Sequence, residues 1–164
     1  MTDKALPDIW RAQIRVTDRF IYLESASGFI LFVPDPDGYS DYLDPDVSDQ
    51  VLGEALLKAL AGSRVVTPGT EGDLYDEDRV ARAYEAWVTD ARARFGYKAK
   101  RALFKDMLYC SARTLRGEIT IMPSRHSKLE AWTRLDEDQY VTMPATASAK
   151  EAGAALRLAL SRCS

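Results

Sequence analysis

A single histidine, His126, and two cysteines, Cys110 and Cys163, are all that the sequence offers in imidazole and thiol groups. A zinc site needs more such ligands than that, and two cysteines do not make a disulfide framework. Both cysteines read as small buried apolar side chains rather than as a bridge. No apolar run approaches the roughly 20 residues that span a bilayer. The N-terminal stretch MTDKALPDIW has neither the basic start nor the apolar core of a secretion signal. The expectation is a cytoplasmic protein with no membrane partner. A glycine-rich phosphate loop, a zinc-binding pair and a Gly-x-Ser-x-Gly elbow are also missing, so no cofactor and no metal are expected.

What is present suffices for one domain. Apolar residues fill 46% of the 164 positions and charged residues 29%, enough for one core and one solvated surface, so residues 1–164 are expected to fold as a unit. The net charge of −3 conceals a segregation. Asp35 to Asp78 hold twelve acidic residues against Lys58 and Arg64, whereas Arg92 to Lys128 hold ten basic residues against Asp106 and Glu118. Either the two stretches neutralise each other or lie on opposite solvated faces, or one of them docks a partner.

Period-two alternation in RAQIRVT and FIYLESAS, followed by the apolar run FILFV, predicts three antiparallel strands between residues 11 and 33. The segment Pro34 to Asp46 contains three prolines, Asp37-Gly38 and five aspartates, and reads as an acidic surface loop with Tyr39 to Leu43 as a short edge strand. Its spacing is not that of a calcium-binding EF-hand. Ser48 is placed to cap a helix carrying Leu52, Ala55, Leu56, Ala59 and Leu60 inward. A longer helix follows, with Val80, Ala83, Tyr84, Trp87, Val88, Ala91 and Phe95 on one stripe, acidic residues at its start and Gly96 at its end, and it reads as a core helix. A short amphipathic helix over 98–107 leads into LYCSARTL and EITIM, a hairpin turning at Arg116-Gly117, with Pro123 expected to end its second strand. Further strands are expected around Leu129 to Trp132 and in QYVTM, and a last helix opens at Ser148 and Glu151. The fold class is therefore α+β, a mostly antiparallel sheet packed with three main helices and one short one. The stretches from Pro45 and from Pro144 match at an offset of 100, pairing Ser48, Gly53 and Leu56 with Ser148, Gly153 and Leu156. An internal repeat and a chance likeness of two Ala/Leu helices both explain that.

His126 is a candidate general acid or base, but no second acid or base stands beside it, and a loop-fixing histidine explains it as well. The basic region from Lys98 to Lys128, with Tyr97, Phe104 and Tyr109, is a candidate RNA surface, against which stands an acidic pI near 5.3. A small hydrolase using His126 and an RNA-binding module thus remain as alternatives.

The run Tyr97 to Lys105, with Cys110-Ser111, Ile119-Thr120-Ile121, Pro123, His126, Lys128-Leu129-Glu130 and Trp132, resembles the immunity proteins of contact-dependent growth inhibition (CDI) systems. The likeness extends to Thr17-Asp18-Arg19-Phe20, Ser27-Gly28-Phe29, Leu52-Gly53-Glu54-Ala55, Gly153 to Arg157 and Ser161-Arg162-Cys163. The resemblance implies a non-enzymatic protein that binds, one to one, the C-terminal toxin domain of a large surface exoprotein, a ribonuclease of the RNase A type, and occludes its active site. Nucleic acid is not a partner in this reading. A cationic ribonuclease site would be met by an acidic, aromatic surface. The expected toxin-facing residues are accordingly Asp35, Asp37, Tyr39, Asp41, Tyr42, Asp44 and Asp46, with Glu71 and Asp73 as a second segment.

Overall fold

The structure, a computed structural model, describes residues 9–164; the first eight residues of the expected domain lie outside the described ones. The antiparallel sheet expected from the alternation forms. Strand β1 (Ile9–Val16) lies at its centre between β2 (Ile21–Gly28) and β5 (Leu108–Leu115), and β6 (Glu118–Lys128) follows β5. Two short strands share each outer neighbour. Strand β3 (Phe32–Pro34) pairs one end of β2 and β4 (Ser40–Leu43) the other; β7 (Ala131–Arg134) and β8 (Val141–Pro144) divide β6 in the same way. Helices α1 (Asp49–Ala61) and α4 (Ala149–Arg162) follow β4 and β8, and α2 (Glu77–Phe95) and the short α3 (Lys100–Phe104) connect the two halves.

Local chemistry sets most of these boundaries. Ser48, Asp76 and Ser148 each accept the N–H of the residue three positions on, which starts α1, α2 and α4. At the β5–β6 hairpin, Arg116 and Gly117 both take positive φ, 52° and 77°, the twist that a two-residue turn needs to match its strands.

The offset of 100 is a property of the whole fold. Strands β1 to β4 with α1, and strands β5 to β8 with α4, are equivalent units. In the central pairing Ala12 lies opposite Ala112, so a local two-fold runs between them. The helices obey it too. A Cβ on Gly53 would stand 1.6 Å from the carbonyl oxygen of Ala149, and one on Gly153 would stand 1.8 Å from that of Asp49. The two helices therefore cross backbone on backbone. Their inner residues, Leu52, Leu56, Ala152 and Leu156, close over Ile14, Leu23, Cys110, Ala112 and Ile121 on one face of the sheet. Cys110 is fully buried there, as its strand mates predict. Cys163 is only half-buried, its Sγ 3.3 Å from that of Cys110, with both thiols free.

Two expectations are corrected. FILFV is not one buried strand: Ile30 and Leu31 are 84% and 64% exposed, and only Phe32–Pro34 pairs. The chain turns sharply at Gly28, where a Cβ would lie 1.9 Å from the Leu31 carbonyl oxygen. The Tyr75 hydroxyl, accepting from the Phe29 N–H and donating to the Leu31 carbonyl, pins the turn. Nor does Pro123 end its strand, since β6 continues to Lys128. Its carbonyl accepts from Leu135, away from β5, so its missing N–H points the same way, into the gap between β8, whose first residue Val141 lies opposite Ile121, and β7, whose last residue Arg134 lies opposite Ser124.

Gly53→Ala is expected to lower stability by about 3 kcal/mol, because a methyl group is forced against a backbone that cannot retreat. Ala154→Gly, on the exposed side of the same crossing, should cost only about 1 kcal/mol. Urea unfolding of the two variants separates the close-approach account from simple helix propensity.

Candidate functional site

The second face of the sheet is covered only in part. Phe20, Tyr22, Val88, Ala91, Tyr97, Leu103, Phe104 and Met107 form a core at one end of it, beneath the C-terminal half of α2 and α3. The N-terminal half of α2 stands away from the sheet. Along the stripe expected to be core, only Val88 and Ala91 are buried, and Val80, Ala83, Tyr84 and Trp87 instead wall a cleft of about 740 Å³. Its floor is the polar side of the central strands, Gln13 and Arg15 of β1 with Tyr22 and Glu24 of β2.

That floor is electrostatically tense. Burial pushes the Glu24 carboxyl up, opposed by the Arg15 guanidinium and by the Tyr22 hydroxyl, which donates to it at 3.1 Å. Arg15 is held among the rings of Trp87, Tyr109 and Trp132, 5.2 to 5.4 Å from their centroids. The Trp87 indole N–H is buried without a hydrogen-bond partner among the described residues. A buried donor left unpaired costs about 1–3 kcal/mol.

The nine residues picked from the sequence divide. The two acidic segments, distant in sequence, come to the same mouth: Pro36 and Ser40 border the cleft on one side, Tyr75 and Glu77 on the other. Asp37 and Asp73 are exposed. Asp35 points inward. Its carboxylate has no exposure and accepts from the Ser27 hydroxyl at 2.6 Å, from Arg64 at 2.7 and 3.2 Å and from the Asp37 N–H at 3.0 Å. Glu71 is spent within its own loop, accepting from the Gly69 N–H at 2.6 Å. Tyr42 packs against Phe20, Tyr22 and Phe95, and its hydroxyl reaches Asp90 at 3.3 Å. Tyr39 is half-buried against the first core, its hydroxyl 3.3 Å from Asp41. Asp41, Asp44 and Asp46 are exposed, with Asp44 also capping the Asp46 N–H.

The sequence does not mark Arg15, Glu24, Tyr84 and Trp87 as residues of a site. The signal was faint: an aromatic pair in an otherwise ordinary helical stripe, and charges alternating with apolar residues on two central strands.

Of the other candidates, His126 and Lys100 are tied into the structure. His126 is in β6 rather than in a loop, stacked on Trp132 at 4.6 Å, with Nε2 2.8 Å from the Leu129 carbonyl oxygen. In the basic region, Lys100 bridges Glu85 and Glu130 at 3.3 and 3.0 Å, and Arg92 donates to the Lys98 carbonyl. Among the described residues no ion pair joins the acidic stretch 35–78 to the basic stretch 92–128: Asp35 pairs with Arg64 and Asp49 with Arg157. The two stretches do not neutralise each other by direct pairing.

Comparison with known proteins gives a consistent picture. The sequence profile of a family described as CdiI, CDI immunity protein, matches residues 10–163. The immunity protein CdiI-YPIII of Yersinia pseudotuberculosis serotype O:3 (strain YPIII) is 40% identical over 166 residues, covering 93% of this chain and 94% of the relative. The structure described as a CdiA-CT/CdiI toxin and immunity complex from Yersinia pseudotuberculosis contains a chain that superposes with a TM-score of 0.90 at 38% identity, covering 96% of this chain and 98% of that one. A protein of unknown function, NMB0488 from Neisseria meningitidis, superposes with a TM-score of 0.89 at 36% identity over the full length of both.

Burial raises the Asp35 carboxyl, but the donations from Arg64, Ser27 and the Asp37 N–H outweigh it and hold the group below the usual carboxylate range. A depressed folded pKa gives stability that is present above the unfolded value and lost as pH falls through the folded one. Asp35→Ala is therefore expected to cost about 2–4 kcal/mol at neutral pH. The difference from the parent should shrink as urea titrations are repeated at falling pH below about 4.

Proposed function

The chain belongs to the CDI immunity protein family, and from that premise we propose that it binds and neutralises the C-terminal toxin domain of a CDI exoprotein, as a one-to-one inhibitor acting in the cytoplasm and not as an enzyme. The observation that carries the reading to a surface is the meeting of the two acidic segments at one cleft. Glu77 lines it together with Tyr75, Tyr84 and Trp87, and the exposed Asp37 and Asp73 lie within two residues of Pro36 and Tyr75, which also line it. Rigid aromatic rings lose little entropy on binding and serve as anchors, while clustered carboxylates speed encounter with a cationic partner.

The toxin it fits is one whose active site is positively charged because it holds a polyphosphate, a ribonuclease in the reading that the sequence resemblance supports. Carboxylates set at phosphate-like positions then compete with the substrate, so inhibition comes from occlusion of the active site. Asp41, Asp44 and Asp46 extend the acidic surface beyond the cleft along β4 and the turn after it. Asp35 contributes by holding this loop, through Ser27 and Arg64, against the end of β2.

The test is titration of the protein against the toxin domain encoded beside it, with ribonuclease activity as a second readout. A one-to-one complex that abolishes cleavage is expected. Asp37→Ala with Asp73→Ala should slow association about ten-fold and flatten its dependence on salt. The pair Asp41→Ala and Asp44→Ala tests the β4 side of the acidic surface in the same way. Unchanged association in both pairs removes the acidic surface from the interface, a complex that leaves the toxin active removes occlusion, and the absence of a complex removes the function itself.

A further inference from the structure

Beside the cleft, across Gln13 and Leu31, lies a second cavity of about 340 Å³, whose charged lining consists of arginines alone where that of the cleft is mixed. Arg11 of β1 and Arg134 of β7 line it, and Arg113 of β5 lies directly opposite Arg11 in the strand register. Among the described residues, none of the three arginines takes part in an ion pair and no acidic side chain lines the cavity. The remaining polar lining consists of Gln13, Ser111, Ser124 and Tyr109, all able to donate a hydrogen bond. Phe32 lies under the Arg11 guanidinium at 4.8 Å and Trp132 closes another side.

Three guanidinium groups close together repel one another; water relieves this for the exposed Arg134 but less for the half-buried Arg11. Two observations show the deficit. The Arg11 Nε–H is buried and has no hydrogen-bond partner among the described residues. The Arg11 guanidinium is also held below its usual pKa, first by burial and then by repulsion from Arg134 and Arg113. We propose that this cavity is a binding site for a phosphate-class oxyanion, held by Arg11 and Arg134 with Ser111 and Gln13 completing its hydrogen bonds. A tetrahedral dianion supplies several acceptors at once, which suits forked guanidinium donors approaching from two strands. The volume left beyond a phosphate group, bounded by Phe32, Trp132 and the exposed Leu31, accommodates an organic group on the same phosphate. The site is formed by this chain alone and does not depend on the toxin, so its test is independent of the preceding one.

Thermal unfolding and calorimetry with inorganic phosphate, phenyl phosphate and sodium chloride at matched ionic strength test the proposal. Phosphate should raise Tm progressively with concentration, beyond any effect of the chloride control, because a ligand bound only by the folded state stabilises it by mass action. Phenyl phosphate should bind several-fold more tightly than phosphate if the aromatic wall receives the organic group; equal binding confines the site to the anion. Arg134→Gln, on a short outer strand, and Arg11→Gln should each weaken phosphate binding at least ten-fold. Arg11→Gln should also raise Tm without ligand by relieving the repulsion, which a general loss of structure would not do. Arg125→Gln, exposed and outside the cavity, should bind as the parent does. A phosphate response no larger than that of chloride, or one retained by both cavity variants, overturns the proposal.

Discussion

Helices α1 and α4 meet backbone to backbone because Gly53 and Gly153 leave no side chain between them, and this contact decides what the sheet beneath can be. Helices that approach so closely cover a narrow strip. The strands under them therefore carry small residues at the axis, Ala12 opposite Ala112, with larger Ile14, Leu23, Ile119 and Ile121 to either side. Each glycine costs about 1 kcal/mol in helix propensity, a cost offset by the packing that the approach permits. The two halves, each of four strands and a helix, thus share a single apolar layer that neither would complete alone.

With that face closed by the repeat, the second face is free to differ. It has no repeated helix to cover it. Helix α2, inserted between the halves, covers one end with an aromatic core and leaves the other end open, so polar side chains of the central strands, Gln13, Arg15, Glu24 and Ser111, line cavities instead of being buried in apolar surroundings. In a symmetric sheet this asymmetry is what provides a concave surface.

The sequence carried the local features and lost the distant ones. Ser48, Asp76, Ser148 and Gly96 mark helix ends because the groups they satisfy lie within four residues, and Arg116-Gly117 marks a hairpin for the same reason. Pro123 misled because its neighbours on β6 come from two different strands, and a gap between them is invisible in the chain. FILFV misled because the residue that holds its turn, Tyr75, is more than forty positions away. Asp35 has the same composition and setting as Asp37, and only the fold shows that one meets Arg64 while the other meets water. The stripe on α2 had the right period for a core helix; how far a helix tilts away from a sheet is set by what lies beneath it, and periodicity does not report that.

The charge segregation can now be given a physical meaning. Two stretches of opposite sign in one small chain would gain little by pairing on the surface, where an ion pair contributes about 0–1 kcal/mol. Here the carboxylates of the acidic stretch that do pair use Arg64 and Arg157, which lie outside the basic stretch, and the exposed Asp37 and Asp73 form no ion pair among the described residues. Unpaired surface carboxylates cost a folded protein little because water solvates them, yet their summed field extends about a Debye length, roughly 8 Å at physiological salt. A cationic partner is therefore attracted before any contact forms, and the aromatic walls of the cleft act only after it arrives. In the proposed complex the acidic surface would set the rate of encounter, and Tyr84 and Trp87 would set how long it lasts.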